Sequence, residues 1–178
     1  SQAEHGSDSQ AILLATSMDI IEKVSAELGK QLETLRRRDT AIKALKSSLA
    51  IRVEDMDQAL EISNHYGPEH LIMSVENPRK ASEKIHNAGS VFLGNFTPES
   101  AGDYASGTNH TLPTGGFSRA WSGITTAAFM KSITTQEISR SGLMRLAPTI
   151  LQMARAEQLE AHANAVLQRI QTPEDHEI

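Results

Sequence analysis

The sequence contains no cysteine. That excludes disulfides and thiolate metal sites, so any zinc must rest on imidazole, carboxylate or amide oxygen. The reducing cytoplasm is the expected setting. No apolar run approaches the ~18 residues that a membrane helix needs, and no secretory leader is visible, so neither membrane insertion nor export is expected. Positive charge is also short: the net charge of -5 argues against a general nucleic-acid surface. The Gly-x-Gly-x-x-Gly turn of dinucleotide sites is absent, as is any internal repeat. What is present is the composition of a soluble globular protein, 39% hydrophobic and 22% charged. Its 178 residues suit one domain, or one with a smaller appendage. The chain starts Ser1-Gln2-Ala3-Glu4-His5-Gly6, without an initiator Met and inside a motif, and reads as a piece of something longer.

Along the chain, apolar runs alternate with helical periodicity. Ala11–Ala15 reads as a buried strand. Ile20, Ile21, Val24, Leu28, Leu32 and Leu35 follow helical spacing behind a Ser17 cap, and Arg36-Arg37-Arg38 reads as a solvated helix end. A short helix over Thr40–Lys46 precedes a strand over Ser48–Val53. Asp55 opens a helix that stops before Gly67-Pro68. A strand over Leu71–Val75, a helix from Pro78 to about His86 and a strand over Ser90–Leu93 follow. This alternation predicts an α/β layer, mostly parallel and wrapped by helices. From Arg119 to Thr135 the chain reads as an extended connection. A helical pattern returns over Ser141–Ile170, with Pro148 expected to start the longer helix. The tail after Thr172 is acidic and expected to fray.

Residues capable of chemistry gather in four places. Gln2 and His5 are three apart and share a face of one helical turn, a spacing that can give two ligands to one metal but by itself more often marks a surface pair. The Gly67-Pro68 turn can direct the adjacent Glu69 and His70 into one pocket, pairing an imidazole base with a carboxylate that orients water. His65 and His86 read as bystanders on helix surfaces. Gly89–Gly116 is a glycine-rich stretch beyond a strand, carrying Glu99, Asp103, Asn109 and His110, the kind of loop that builds binding or catalytic surfaces. Glu157 and His162, five apart on one predicted helix, are offset by ~140°; on spacing alone they are polar residues of an amphipathic helix.

Taken together, Gln-Ala-Glu-His-Gly from Gln2, Tyr-Gly-Pro-Glu-His-Leu from Tyr66 and the stretch Gly89–Gly116 resemble histidinol dehydrogenase. The likeness runs from Gln2 to about Ile170. It implies an enzyme that oxidises L-histidinol through the aldehyde to L-histidine, at the end of histidine biosynthesis, with two NAD and a bound zinc. By this resemblance Gln2, His5 and Asp103 correspond to zinc ligands, with His162 the fourth, supplied across a homodimer by a swapped C-terminal arm. His70 corresponds to the base and Glu69 to the residue that activates water. His110 and Glu157 correspond to substrate contacts, and the zinc ligands also face the substrate. Two imidazoles, a carboxylate and an amide oxygen leave room for the substrate's imidazole and amine.

Chains of that family are much longer. The resemblance therefore implies a C-terminal portion, an incomplete Rossmann-like layered domain over residues 1–124 with a helical C-terminal dimerisation arm over 125–178. Most of the NAD site and a further substrate-contacting Ser would lie in an N-terminal region outside this chain. The alternative expectation is a catalytically incomplete fragment that binds zinc and imidazole or only dimerises.

Overall fold

The computed structural model describes residues 1–171. The acidic tail that begins at Thr172 lies outside the described residues. The chain divides into two compact units, Ser1–Met130 and Lys131–Ile178.

The first unit starts with a single helical turn, α1 (Gln2–His5), and a strand, β1 (Ile12–Ala15). Ser17 caps α2 (Met18–Thr34), its hydroxyl accepting from Asp19 N at 3.2 Å. After α3 (Arg38–Leu45) comes β2 (Leu49–Arg52), which pairs with β1 in parallel, Ile12 opposite Leu49. The two helices are thus the crossover that a parallel pair requires. Asp55 caps α4 (Met56–Tyr66) by accepting from Gln58 N at 2.9 Å, and Gly67 ends it in the left-handed region at φ 65°. A second parallel pair follows: β3 (His70–Met73), a short α5 (Pro78–Ser82) and β4 (Ser90–Leu93), with His70 opposite Ser90.

Parallel strands wrapped by helices are therefore what the chain has. The strands form two bonded pairs, β1-β2 and β3-β4, rather than one bonded sheet. The core is small: Val53, Ala41, Ala44, Phe92, Met73 and Leu60 are buried. Each two-stranded ribbon is marginal by itself and is held by the helices on it.

Three local readings change in this first unit. The helix from Pro78 stops at Ser82, so His86 is not on a helix; its N–H donates to Asn64 Oδ1 at 2.8 Å. The arginine run is not simply a solvated helix end, because Arg37 donates to His5 O at 3.2 Å and Arg38 opens α3. The third concerns the segment after β4. It contains a short helix, α6 (Glu99–Tyr104), followed by 3₁₀ turns at Phe117–Arg119 and Thr126–Phe129.

In the second unit, residues 131–139 form neither helix nor strand and are exposed. Then α7 (Arg140–Ala156) and α8 (Glu160–Gln171) pack together, burying Ala147, Ala154, Ala163 and Val166. Pro148 sits inside α7 rather than at its start. Ser139 supplies the start, accepting from Gly142 N at 3.1 Å. An internal proline costs a helix about 3 kcal/mol, and the packing of α7 on α8 offsets it.

Glu157 and His162 do not share a helix. Gln158 takes a left-handed φ of 61°. Leu159 N then bonds Ala154 O at 2.8 Å and Gln158 N bonds Arg155 O at 3.0 Å, the two bonds of a Schellman turn. The helical offset between Glu157 and His162 expected from spacing therefore does not apply.

Candidate metal and acid–base centre

Three elements converge in the first unit. The turn of α1 sets Gln2 and His5 on one side, and Gln2 Oε1 is buried with no hydrogen-bond partner. Glu99 and Asp103 lie four residues apart on α6, hence on one face. One ligand atom from each of His5, Glu99 and Asp103 falls within 4.8 Å of the others. Glu99 is buried, only 4% exposed, whereas the His5 side chain is 56% exposed. A buried carboxylate beside a second carboxylate and a half-open imidazole, with an orphaned amide oxygen on the helical turn that carries the imidazole, is a donor set that suits a divalent cation with N/O preference.

His70 meets the same carboxylate from β3. Its Nδ1 stands 3.6 Å from Glu99 Oε1, the atom that also lies 4.0 Å from His5 Nε2. Ser1 Oγ donates to the other oxygen, Glu99 Oε2, at 3.3 Å. The strand period of two puts His70 and Phe92 on one face of the β3-β4 pair, with ring centroids 5.9 Å apart and planes tilted by 43°. His70 Nε2 is buried without a partner.

Glycines make this closeness possible. A Cβ at Gly102 would stand 2.7 Å from Thr108 Oγ1 and 2.9 Å from the Phe92 ring. One at Gly89 would stand 2.6 Å from Glu69 O, which there accepts the β4 hydrogen bond from Ser90 N at 2.9 Å. Both positions bring backbone against the β3-β4 pair, which carries His70 and Phe92 and which Glu69 immediately precedes.

Of the residues singled out from sequence, His5 and Asp103 lie together, Gln2 adjoins them on the same helical turn as His5, and His70 reaches Glu99. Glu69 is half-buried at the head of β3. His110 is exposed in the loop after α6, which is pinned by Asn109 Nδ2 donating to Ile124 O and by Ile124 N donating to Thr111 O at 3.0 Å. Glu157 and His162 are exposed in the second unit. Glu99 is the member that sequence reasoning noted in the loop but left without a role. The signal for it was the four-residue spacing to Asp103 on a helix opened by Pro98-Glu99, hidden by the glycine-rich look of the stretch. A surface hollow of about 680 Å³ lined by Asp57, His65, Lys84 and Arg119 shares no residue with this cluster.

Comparison with known proteins is consistent along the chain. The family model described as histidinol dehydrogenase matches residues 1–170. The histidinol dehydrogenase of Bacteroides thetaiotaomicron is 54% identical over 172 residues, 97% of this chain and 40% of that protein. That of Vibrio parahaemolyticus is 53% identical over 171 residues, again 40% of its length. The crystal structure of histidinol dehydrogenase from Elizabethkingia anophelis superposes with a TM-score of 0.92 at 48% identity, covering 94% of this chain and 39% of the other. The chain thus spans about 40% of the length of the curated relatives it matches. A match over nearly all of its residues, at this identity and with this structural agreement, means that the chain belongs to the histidinol dehydrogenase family.

Proposed function

We propose that the chain is the zinc- and substrate-binding portion of an enzyme that oxidises L-histidinol through the aldehyde to L-histidine with NAD. The observation that carries this reading is the meeting of His5, Asp103 and Glu99, with His70 Nδ1 3.6 Å from Glu99 and with Gln2 Oε1 and His70 Nε2 buried without partners. Gln2, His5 and Asp103 would hold the zinc, with His162 as the fourth protein ligand. Zinc, when bound, would supply an anchor for the substrate's imidazole and amine nitrogens, and NAD would supply the hydride acceptor for each oxidation. Within this chain, His70 Nε2 takes the hydroxyl proton as the alcohol carbon loses its hydride. Glu69 draws a proton from water so that the oxygen adds to the aldehyde carbon, while protonated His70 returns its proton to the aldehyde oxygen; His70, restored as a base, then takes the hydroxyl proton of the hydrate in the second oxidation. His110 and Glu157 contact the substrate.

The same proposal includes a homodimer in which residues 125–178 form an arm reaching the other subunit. It is supported by the exposed segment 131–139 and by a C-terminal unit that is compact in its own right. The incomplete Rossmann-like layering of residues 1–124 also belongs to it, as does a cytoplasmic home. Exposed Met18, Ile20, Val24 and Leu28 on α2 suit a surface that further chain covers. Among the described residues no helix is long and apolar enough to cross a membrane.

The test supplies the N-terminal portion of a full-length relative together with zinc, NAD and histidinol. Zinc-dependent NADH formation is expected, and none at any stoichiometry would count against the reading. A second reading, a module that binds zinc and imidazole without turnover, is favoured by the lack of a dinucleotide turn in this chain. Calorimetry with zinc and histidinol separates the two: binding that never depends on NAD or leads to turnover supports the module.

A further inference from the structure

We infer that Glu99 is a positioning residue for His70: its buried carboxylate holds the imidazole in the tautomer and orientation that leave Nε2 free to accept a proton. The inference rests on the reading of His70 as the base.

Three features of the site point to it. Glu99 is 4% exposed and His70 11% exposed, so neither is solvated enough to have water as its main partner. The carboxylate oxygen nearest the ring faces Nδ1 at 3.6 Å, and it has no hydrogen-bond partner of its own. The other ring nitrogen, Nε2, is equally buried and equally unpartnered. An imidazole with one nitrogen against a carboxylate puts its proton there, because the alternative sets a lone pair against a buried negative charge. In the neutral ring the lone pair that a base needs then sits on Nε2. The separation is roughly 0.4 Å beyond a formed N–H···O bond, a gap that a small side-chain rotation closes. Phe92, 3% exposed and tilted against the ring, limits the other motions open to His70.

Glu99 also neighbours His5, so a role as a direct metal ligand is the competing account. The two differ in what they disturb. A ligand's loss changes zinc content, while loss of a positioning carboxylate changes turnover through His70 alone.

The experiment is a double-mutant cycle in the chain completed to the length of its relatives: the parent, Glu99→Gln, His70→Asn and the double variant. Each is measured for bound zinc, KM for histidinol and kcat. The expected result for Glu99→Gln is a fall in kcat of about 10–10²-fold with zinc content and KM unchanged. In the His70→Asn background the same substitution costs nothing further. Multiplying losses overturn the inference, because Glu99 then acts other than through His70. Loss of zinc from Glu99→Gln also overturns it, in favour of a ligand role. Full activity of His70→Asn sinks the base assignment itself, whereas an inactive His70→Asn with a fully active Glu99→Gln sinks only the positioning role. If the amide variant does not fold, Glu99→Asp enters the same cycle. It keeps the charge at a shorter reach and is expected to retain more activity than any neutral replacement.

Discussion

Glu99 and Asp103 stand one turn apart on α6, and both carboxylates lie within 4.8 Å of His5. Like charges at this spacing repel by a few tenths of a kcal/mol on an exposed helix, and burial of Glu99 raises that cost. A divalent cation reverses the sign of the interaction. Zinc at about 100 times its dissociation constant should therefore stabilise the protein by about 2.7 kcal/mol. Asp103→Asn should abolish that gain and yet leave the metal-free protein no less stable than the metal-free parent. Thermal unfolding with and without a chelator measures both. A metal-free Asp103→Asn protein that melts well below its parent would mean that Asp103 stabilises the fold by some other contact.

The proposed division of labour between Glu69 and His70 would give a kinetic signature. Proton removal is needed in both oxidations, but water addition only between them. In the completed enzyme, His70→Asn should reduce alcohol and aldehyde oxidation alike, by about 10²–10⁴-fold. Glu69→Gln should slow aldehyde oxidation more than alcohol oxidation. Separate assays starting from histidinol and from histidinaldehyde read the two rates, and equal losses for Glu69→Gln would break the assignment.

Two helical glycines should respond to alanine with opposite signs. Gly29 in α2 is exposed, and a Cβ there meets nothing within 4 Å. Gly29→Ala should stabilise by about 0.5–1 kcal/mol. At Gly102 the same methyl runs into Thr108 Oγ1 and the Phe92 ring. Overpacking of that kind costs about 1–3 kcal/mol, enough to exceed the gain in helix propensity, and displacement of Phe92 should lower activity through His70. Chemical denaturation of both variants makes the comparison. A stabilised Gly102→Ala would show that the contact relaxes freely.

Much of the fold follows from local chemistry and was legible for that reason. Ser17 and Asp55 cap the helices they were expected to cap, and Gly67 ends one in the left-handed conformation that glycine adopts cheaply. The strands were found from apolar runs between turn residues. How they pair is set by tertiary packing, which no single run encodes, so the two separate ribbons were not foreseen. Likewise α6 was hidden among glycines and small polar residues, because its stability comes from Glu99 and Gly102 packing inward rather than from propensity. Pro148 misled for the opposite reason: its local signal is strong, and the packing of α7 on α8 overrides it. In the candidate site, His5, Asp103 and His70 stood out as residue types in dense motifs. The carboxylate that links them was not, since the His70–Glu99 and His5–Glu99 approaches join distant parts of the chain.

The turn between α7 and α8 places Gln158 at a left-handed φ of 61°, where a side chain costs about 1 kcal/mol and glycine almost nothing. Gln158→Gly should hold or raise stability by up to about 1 kcal/mol. The β-branched Gln158→Val should lower it. Unfolding of the two variants side by side tests this, and a destabilised Gln158→Gly would mean that the glutamine side chain contributes more than its backbone costs.

His162 sits in the C-terminal unit, beyond an exposed segment at 131–139, while Gln2, His5 and Asp103 sit in the N-terminal unit. A tethered ligand gains effective concentration only where the span of its linker matches the site. A closed two-fold dimer fills both sites at once, so zinc and dimer should be linked: removal of zinc should loosen the dimer. In the completed protein, His162→Ala and Asp103→Ala should each lose zinc when alone. Mixed and re-equilibrated in equal amounts, half of the dimers are heterodimers. Each of these carries one site with an intact Asp103 set from one subunit and an intact His162 from the other, so zinc should return to about a quarter of the parent's content. Metal analysis across the mixing ratio gives the answer. Recovery that peaks at equal amounts supports the swapped arm, and no recovery at any ratio means that the site is built within one chain.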